Sequence, residues 1–208
     1  MTEIDVTEVL RPRLLDGMPI ALAHAGAAGT VAGSTAAAAG GACSGLGAIV
    51  HELPLICTGQ PEADDAAVEA AVMAAPGGGA STRMLIVDAG GMFASLPDGM
   101  IATLEASWRV TRAVANTAFI PGEAVGRIVY VAPPTQAGGG EPYADAARAG
   151  LENLARTLSI EWARYGISPV AIAPGPSTAA EQIAGVVAYL ASPAGDYFSG
   201  CQLDLRGA

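Results

Sequence analysis

Tyr143 and Arg148 are the residues of this sequence whose types and proximity could perform acid–base chemistry. A tyrosine can deliver its phenolic proton when a neighbouring cation stabilises the phenolate, and Arg148 is the basic residue nearest to Tyr143. The two positions lie five residues apart, and on a helix that spacing rotates one side chain from the other by about 500°. The spacing therefore predicts that the two side chains point apart.

A glycine-rich segment follows a weak predicted strand at 20–22 and contains Gly26, Gly29 and Gly33. In a nucleotide-binding βαβ unit, such glycines let the backbone approach a pyrophosphate at the start of the next helix. The segment is either a distorted cofactor loop or a vestigial loop in which small residues pack. Further glycines in 34–47 each cost about 1 kcal/mol inside a helix. They predict a poor crossover helix and favour the vestigial loop.

No other residues have the spacing of a metal site or of an activated nucleophile. Cys43, Cys57 and Cys201 are far apart, which indicates reduced thiols rather than a metal centre. Glu52 ends the second predicted strand, where an acid could bind ribose hydroxyls, although a solvated glutamate is the commoner case. His51 is interpreted as a surface or half-buried histidine.

Composition limits the class of protein. The 208 residues predict a single domain, 1–208, and a charged fraction of 14% is typical of a globular chain. The formal net charge of -10 argues against nucleic acid or an anionic membrane surface as a partner. The sequence has no long apolar run, and its acidic start lacks the apolar core of a secretory signal, so we expect a cytoplasmic protein.

Two strongly patterned helices are predicted to position the candidate residues. The helix at 143–165 carries apolar residues at three- and four-residue spacing, and the helix at 99–119 has a similar apolar face. Apolar runs between turn residues predict strands at 20–22, 48–56, 84–87, 126–134 and 168–173. Further helices are predicted after Pro61 and at 179–192.

The stretch from Tyr143 to Gly175 contains AARAGLENLARTLSIEWARYGI followed by VAIAPG, and it resembles the short-chain dehydrogenase/reductase family. The resemblance implies an α/β fold with a Rossmann-like, doubly wound parallel sheet. It also implies a shortened version of that fold. Only 176–178 stand where the family inserts a substrate-covering lid.

The same resemblance implies a catalytic tyrosine, lysine, serine and asparagine beside a bound NAD(P). This chain contains no lysine. When Arg148 is aligned with the family's lysine, Ala144 replaces the tyrosine. Pro133 replaces the serine when 126–129 are aligned with the family's strand, and Thr103 replaces the asparagine when 111–113 are aligned with its helix. We therefore expect no maintained catalysis and no cofactor bound by this chain. Gly26, Gly29 and Gly33 remain weak candidates for a cofactor site.

The family builds its subunit interfaces from the two helices that correspond to 99–119 and 143–165, and from its C-terminal strand. The resemblance therefore implies an interface in this chain. Its predicted residues are Leu104, Trp108, Arg112, Ala115, Phe119, Leu151, Leu154, Leu158 and Trp162.

These expectations lead to a non-catalytic, stabilising subunit of a hetero-oligomeric NAD(P)-dependent dehydrogenase. Its partner would be a catalytic paralogue, in a heterodimer or heterotetramer that acts on a hydroxyacyl-CoA or a similar alcohol or ketone. The alternative is an active enzyme, either a reductase or one resembling the halohydrin dehalogenases, with Tyr143 and Arg148 as its catalytic residues. A homo-oligomeric protein that binds a small ligand in the lidless cleft is a third interpretation.

Overall fold

The computed structural model describes residues 10–25, 34–55, 58–75, 79–122, 125–134 and 143–206. Within these ranges, strands and helices alternate along the chain. The strands are β1 Pro19–Ala25, β2 Ile49–Leu55, β3 Met84–Val87, β4 Gly126–Val131, β5 Ile167–Pro174 and β6 Cys201–Leu205. The α-helices are α1 Thr35–Gly45, α2 Pro61–Ala74, α3 Ala89–Ser95, α4 Gly99–Val114, α5 Ala144–Glu161 and α6 Ala180–Ala191.

The described strands form one parallel sheet in the order β2-β1-β3-β4-β5-β6. The chain leaves β1 for β2 on one side and returns to β3 on the other, so the direction of winding reverses between β1 and β3. In a doubly wound sheet, ligands bind at the carboxyl ends of the strands that flank this switch point. The fold therefore directs attention to the residues that follow β1 and β3.

Each face of the sheet supports its own hydrophobic core because successive strand residues point to opposite faces. Ala21 and Ala23 of β1 contribute to the core beneath α2, α4 and α5. Ile20 and Leu22 contribute to the other core, beneath α1 and α6. The strands are thus buried on both sides, which explains why they appear in the sequence as continuous apolar runs.

Helix α1 corrects one prediction, because the glycine-rich segment after residue 33 was expected to be a poor helix. The structure has a regular helix whose first turn is capped by Ser34, which accepts the Ala37 N–H at 3.2 Å. A Cβ atom built on Gly40 would lie 3.1 Å from Leu22 Cδ2. Small residues thus let α1 pack closely on β1, and that packing offsets the helical cost of glycine.

The other predicted elements are found close to their expected positions. Helix α4 continues into a π-helical turn, Ala115–Phe119, and α5 is followed by a 3₁₀ turn, Ala163–Tyr165. Gly166 ends that turn with a left-handed backbone, φ 68°, which glycine adopts without steric cost. The segment after β3 forms the short helix α3. Within the described ranges, no helix has both the length and the apolar character needed to span a bilayer.

Candidate functional site

Tyr143 and Arg148 occupy very different environments at the start of α5. Tyr143 immediately precedes the helix with a left-handed backbone, φ 74°, and its side chain is 70% exposed. Arg148 lies within the first two turns and is 6% exposed. A non-glycine residue in the left-handed region is uncommon and carries local strain. Tyr143 is therefore held at the surface by its backbone, while Arg148 is turned into the protein.

The buried guanidinium of Arg148 joins the ends of two strands. Its Nη1 donates to the carbonyl oxygen of Pro133 at 2.7 Å and to that of Pro174 at 2.8 Å. Pro174 is the last residue of β5, and Pro133 lies just beyond β4. Burial lowers the pKa of Arg148, with a further lowering from the nearby charge of Arg206. The arginine thus fastens β4 to β5 at the edge of the sheet where a substrate would bind.

A cavity of about 950 Å³ opens beside Tyr143. Its walls come from α3, the start of α4, the segment after β4 and the start of α5. They are Gly90, Phe93, Ala94, Leu96, Asp98, Gly99, Met100, Ile101, Pro133, Pro134, Tyr143 and Ala144. Among the residues that the structure describes, this lining has no basic side chain and no buried hydroxyl donor. The described walls are thus suited to an apolar molecule, but apart from Tyr143 they offer little that could polarise a carbonyl group.

The two other positions implied by the family resemblance are unsuited to catalysis. Thr103 is completely buried, and its hydroxyl has no hydrogen-bond partner among the described residues. A group in that position does not reach a ligand in the cavity. Pro133 lines the cavity but lacks a backbone N–H and a hydroxyl, and its carbonyl already accepts a hydrogen bond from Arg148.

A second cleft, of about 370 Å³, lies at the switch point of the sheet and is lined in part by Ser34, Thr35 and Asp88. Asp88 follows β3, caps α3 by accepting the Gly91 N–H at 3.0 Å, and is 4% exposed. Burial raises the pKa of Asp88. The N–H groups of Gly91 and Ala36 and the imidazole of His24 partly offset that rise.

His24 lies beside Asp88 near the end of β1 and is 1% exposed. Its Nδ1 is 3.1 Å from the carbonyl oxygen of Ala25, and its Nε2 is 3.7 Å from a carboxylate oxygen of Glu52. Glu52, considered above as a ribose acceptor, therefore lies close to a buried histidine. Sequence reasoning missed His24 and Asp88 because they belong to separate strands. The available signal was their common position at strand ends.

The prediction of a half-buried His51 agrees with its position on the edge strand β2. Burial lowers the pKa of His51, and neither ring nitrogen has a hydrogen-bond partner among the described residues. Cys43 is buried in the core beneath α1, where burial raises the pKa of its thiol to about 12. Cys201 is only partly buried. Within the part of the chain that the structure describes, no group of His, Cys, Asp and Glu is arranged to bind a metal.

The fold implies a dinucleotide phosphate at the start of α1. A phosphate requires unpaired N–H groups at a helix start. Here the Ala37 N–H already donates to the Ser34 hydroxyl at 3.2 Å. Gly26, Gly29 and Gly33, the weak candidates for a cofactor site, lie outside the described residues.

Four of the nine predicted interface residues lie in the chain's own core. Ala115, Phe119 and Leu151 are at most 1% exposed and belong to the core beneath α2, α4 and α5, and Leu158 is 4% exposed. Their assignment to an interface stays a prediction, since helical periodicity identifies an apolar stripe without showing which surface covers it. The remaining predicted residues are Leu104, Trp108, Arg112, Leu154 and Trp162.

Four of these remaining residues form a surface that we call the tryptophan patch: Leu104, Trp108, Leu154 and Trp162. The rings of Trp108 and Trp162 stack across α4 and α5, with centroids 6.2 Å apart and planes inclined by 22°. Trp108 remains 38% exposed, while the other three side chains are partly buried against the core. Arg112, at the edge of the patch, pairs with Asp65 at 2.8 Å.

The sheet order, the two helical layers and the cleft at the switch point define a doubly wound α/β protein of the Rossmann type. No protein-family model matches the sequence, and no curated protein matches it. The structure is similar to the citronellol catabolism dehydrogenase of Pseudomonas aeruginosa PAO1, with a TM-score of 0.72 and 23% identity. That match covers 96% of this chain and 98% of the other.

It is also similar to a short chain dehydrogenase from Mycobacterium smegmatis, with a TM-score of 0.74 and 19% identity. This second match covers 99% of this chain and 96% of the other. The predicted α/β fold, with its Rossmann-like doubly wound parallel sheet, is thereby confirmed as the fold of short-chain dehydrogenases. Identities this low establish the fold and nothing about activity.

Proposed function

We propose that the chain is a degenerate member of the short-chain dehydrogenase/reductase family that acts as a non-catalytic, stabilising subunit of a hetero-oligomeric oxidoreductase in the cytoplasm. The proposal rests chiefly on Arg148, the cation nearest to Tyr143 in sequence. Its buried guanidinium binds the carbonyls of Pro133 and Pro174 and does not serve an exposed tyrosine. The partner is a catalytic paralogue that carries NAD(P) and acts on a hydroxyacyl-CoA or a similar alcohol or ketone.

The requirements of hydride transfer support this assignment, because the described walls of the cavity lack the donor groups that the reaction needs. A carbonyl reductase needs a proton donor assisted by a cation, a second donor that fixes the substrate oxygen, and an adjacent nicotinamide. At the corresponding positions this chain has Ala144, Pro133 and the buried Thr103, and Tyr143 lies one residue before the position of the family's tyrosine. No single one of these differences decides the matter, but together they leave no route for the proton through the described residues.

The tryptophan patch supports the choice of partner. Paired tryptophans that remain partly exposed are typical centres of protein interfaces, where a few aromatic residues carry most of the binding free energy. Each Å² of apolar area that a partner removes from water contributes about 25 cal/mol. A catalytic paralogue of the same fold would present a matching pair of helices to this patch.

The test is co-expression with a dehydrogenase from the same genome that carries a complete Tyr-x-x-x-Lys motif. We expect the two chains to co-purify and the catalytic chain to unfold at a lower temperature when expressed alone. If the two chains separate on a sizing column, and the catalytic chain is equally stable alone, the proposal fails.

An active enzyme is the second candidate, because Tyr143 is exposed and lines the cavity of about 950 Å³. In this alternative, Tyr143 and Arg148 catalyse a reduction or a reaction like that of the halohydrin dehalogenases. Turnover by the isolated chain that is lost in Tyr143→Phe, but kept in Tyr197→Phe, would establish it. Tyr197 is a suitable control since it is 91% exposed and does not line that cavity.

A further inference from the structure

Helix α4 carries three buried hydroxyl groups at four-residue intervals, those of Thr103, Ser107 and Thr111. All three residues are completely buried. Residues four apart lie on one face of a helix, with their Cβ atoms about 5–6 Å apart. The three hydroxyls thus form a polar line along the buried face of α4. The other buried residues of this helix are small and apolar, and they are Ala106, Val110, Ala113 and Val114.

Among the described residues, a protein partner is found at only one end of this line. The Thr111 hydroxyl lies 2.9 Å from the hydroxyl of Tyr130, a completely buried residue of β4. The hydroxyls of Thr103 and Ser107 have no hydrogen-bond partner in the described part of the chain. In helices such hydroxyls can bond to the carbonyl one turn back, and these two do not. A buried hydroxyl that lacks a partner costs free energy comparable to a lost hydrogen bond.

A single water molecule between Thr103 and Ser107 would satisfy both hydroxyls. Each hydroxyl can donate one hydrogen bond and accept others, and a hydrogen bond between two oxygen atoms spans about 2.8 Å. Two such bonds through one water cover about 5.6 Å, which matches the separation of side chains four residues apart on a helix. Buried waters typically bind to polar groups that otherwise lack a partner. The spacing of the pair therefore suits one bridging water.

We infer that Thr103 and Ser107 bind one internal water molecule between them, so that the buried face of α4 contains a water site. This inference does not rest on the proposed function, because the site belongs to the isolated chain. The two residues bind the water as a structural ligand and take no part in catalysis. Their site lies on the helix that also carries Leu104 and Trp108 of the tryptophan patch.

The first experiment measures the Tm of Thr103→Val, of Ser107→Ala and of the double variant. Unfolding can be followed by the fluorescence of the two tryptophans of the chain. Thr157→Val is the matched control, since Thr157 is an exposed residue within α5. It removes a helical hydroxyl that faces solvent.

We expect each single variant to lower Tm by about 3 °C, because it leaves the water and the other hydroxyl with one hydrogen bond fewer. The double variant should lower Tm by less than the sum of the two single changes, because both hydroxyls bind the same water. Thr157→Val should leave Tm unchanged. A rise in Tm in either single variant would mean that its hydroxyl has no partner, and additive losses would mean two independent partners. Either result would overturn the inference.

A second experiment uses the wild-type chain and does not depend on how the variants fold. In a high-resolution crystal structure, we expect an ordered water within about 3.2 Å of the hydroxyl oxygens of both Thr103 and Ser107. Well-ordered side chains without that water would overturn the inference. So would a hydrogen bond from either hydroxyl to the carbonyl one turn back in α4.

Discussion

The carboxyl edge of the sheet and the tryptophan patch differ in how their side chains are satisfied. At the carboxyl edge, Arg148 donates to two backbone carbonyls and Asp88 accepts the Gly91 N–H. Both charged side chains thus bind the chain's own backbone, whereas in an active site such charges would face a ligand. At the patch, the stacked rings of Trp108 and Trp162 remain partly exposed. The comparison suggests that the protein acts through its helix surface rather than through its cleft.

The largest effect is expected from the double variant Trp108→Ala/Trp162→Ala. Central interface aromatics each contribute about 2 kcal/mol or more, so we expect affinity for the catalytic partner to fall by about a thousandfold. The measurement is the dissociation constant of the purified complex. Tyr197→Ala is the control, because it removes an exposed aromatic ring outside the patch.

The Tm of the isolated double variant must also be measured, since Trp162 packs partly against the chain's own core. Unchanged partner affinity in a folded double variant would show that the patch is not part of the interface. The contrast between the patch and the carboxyl edge of the sheet would then carry no functional meaning.

The second-largest effect is a loss of stability expected at Arg148, which lies at the carboxyl edge of the sheet. Arg148→Met keeps the apolar stem but leaves the carbonyls of Pro133 and Pro174 without their donor. We expect the free energy of unfolding to fall by about 3 kcal/mol, because each buried acceptor left unpaired costs about 1–3 kcal/mol. Urea unfolding measures this loss, and Arg156→Met is an exposed control.

The opposite result for Arg148→Met would favour the active-enzyme alternative. A variant that keeps wild-type stability while losing measurable turnover would mean that the guanidinium serves a substrate rather than the strand ends.

The helices and strands could be predicted from local patterns, but the roles of individual faces could not. Helices α4 and α5 have clear apolar stripes, yet Leu151 faces the sheet while Trp162 lies near the surface. Periodicity gives spacing along one helix and does not reveal its partner. Helix α1 was misjudged because the cost of its glycines is local, whereas its close packing on β1 is tertiary.

Only those features of the candidate site that follow from residue types could be predicted from the sequence. The absence of lysine and the presence of Pro133 are visible in the sequence. The use of Arg148 as a clamp depends on where β4 and β5 end in space. The meeting of His24 with Asp88 depends on the order of strands in the sheet. Neither arrangement follows from spacing along the chain.

The third prediction tests the ion pairs between α2 and α4, the helix that carries Leu104 and Trp108 of the tryptophan patch. Asp64 accepts hydrogen bonds from the Thr58 N–H and hydroxyl at 2.8 and 2.6 Å, and Arg109 Nη1 lies 3.4 Å away. Burial opposes ionisation of Asp64, but the Thr58 hydrogen bonds and the charge of Arg109 outweigh it and lower its pKa. We expect Asp64→Asn to reduce the free energy of unfolding by about 2 kcal/mol at neutral pH.

The pH dependence of this loss follows from the direction of the shift. A carboxyl group whose pKa is lower in the folded state stabilises the protein above its unfolded pKa of about 4, and this contribution disappears as the pH falls through the folded value. Urea unfolding at pH 7 and near pH 3 should therefore show the difference between wild type and Asp64→Asn shrinking in acid. A difference that is constant with pH would mean that packing, and not charge, is lost.

The smallest effect is expected at Tyr143. A protein that acts through the tryptophan patch and a protein that acts through its cleft should respond differently to the loss of this phenol. Tyr143 is 70% exposed, so removal of its hydroxyl should change the free energy of unfolding by less than about 0.5 kcal/mol. If this chain contributes only its helix surface, Tyr143→Phe in the reconstituted complex should also leave kcat and KM of the catalytic partner unchanged. A fall in kcat at unchanged stability would instead place the phenol in a reacting site, and the cleft would then have to be counted as functional.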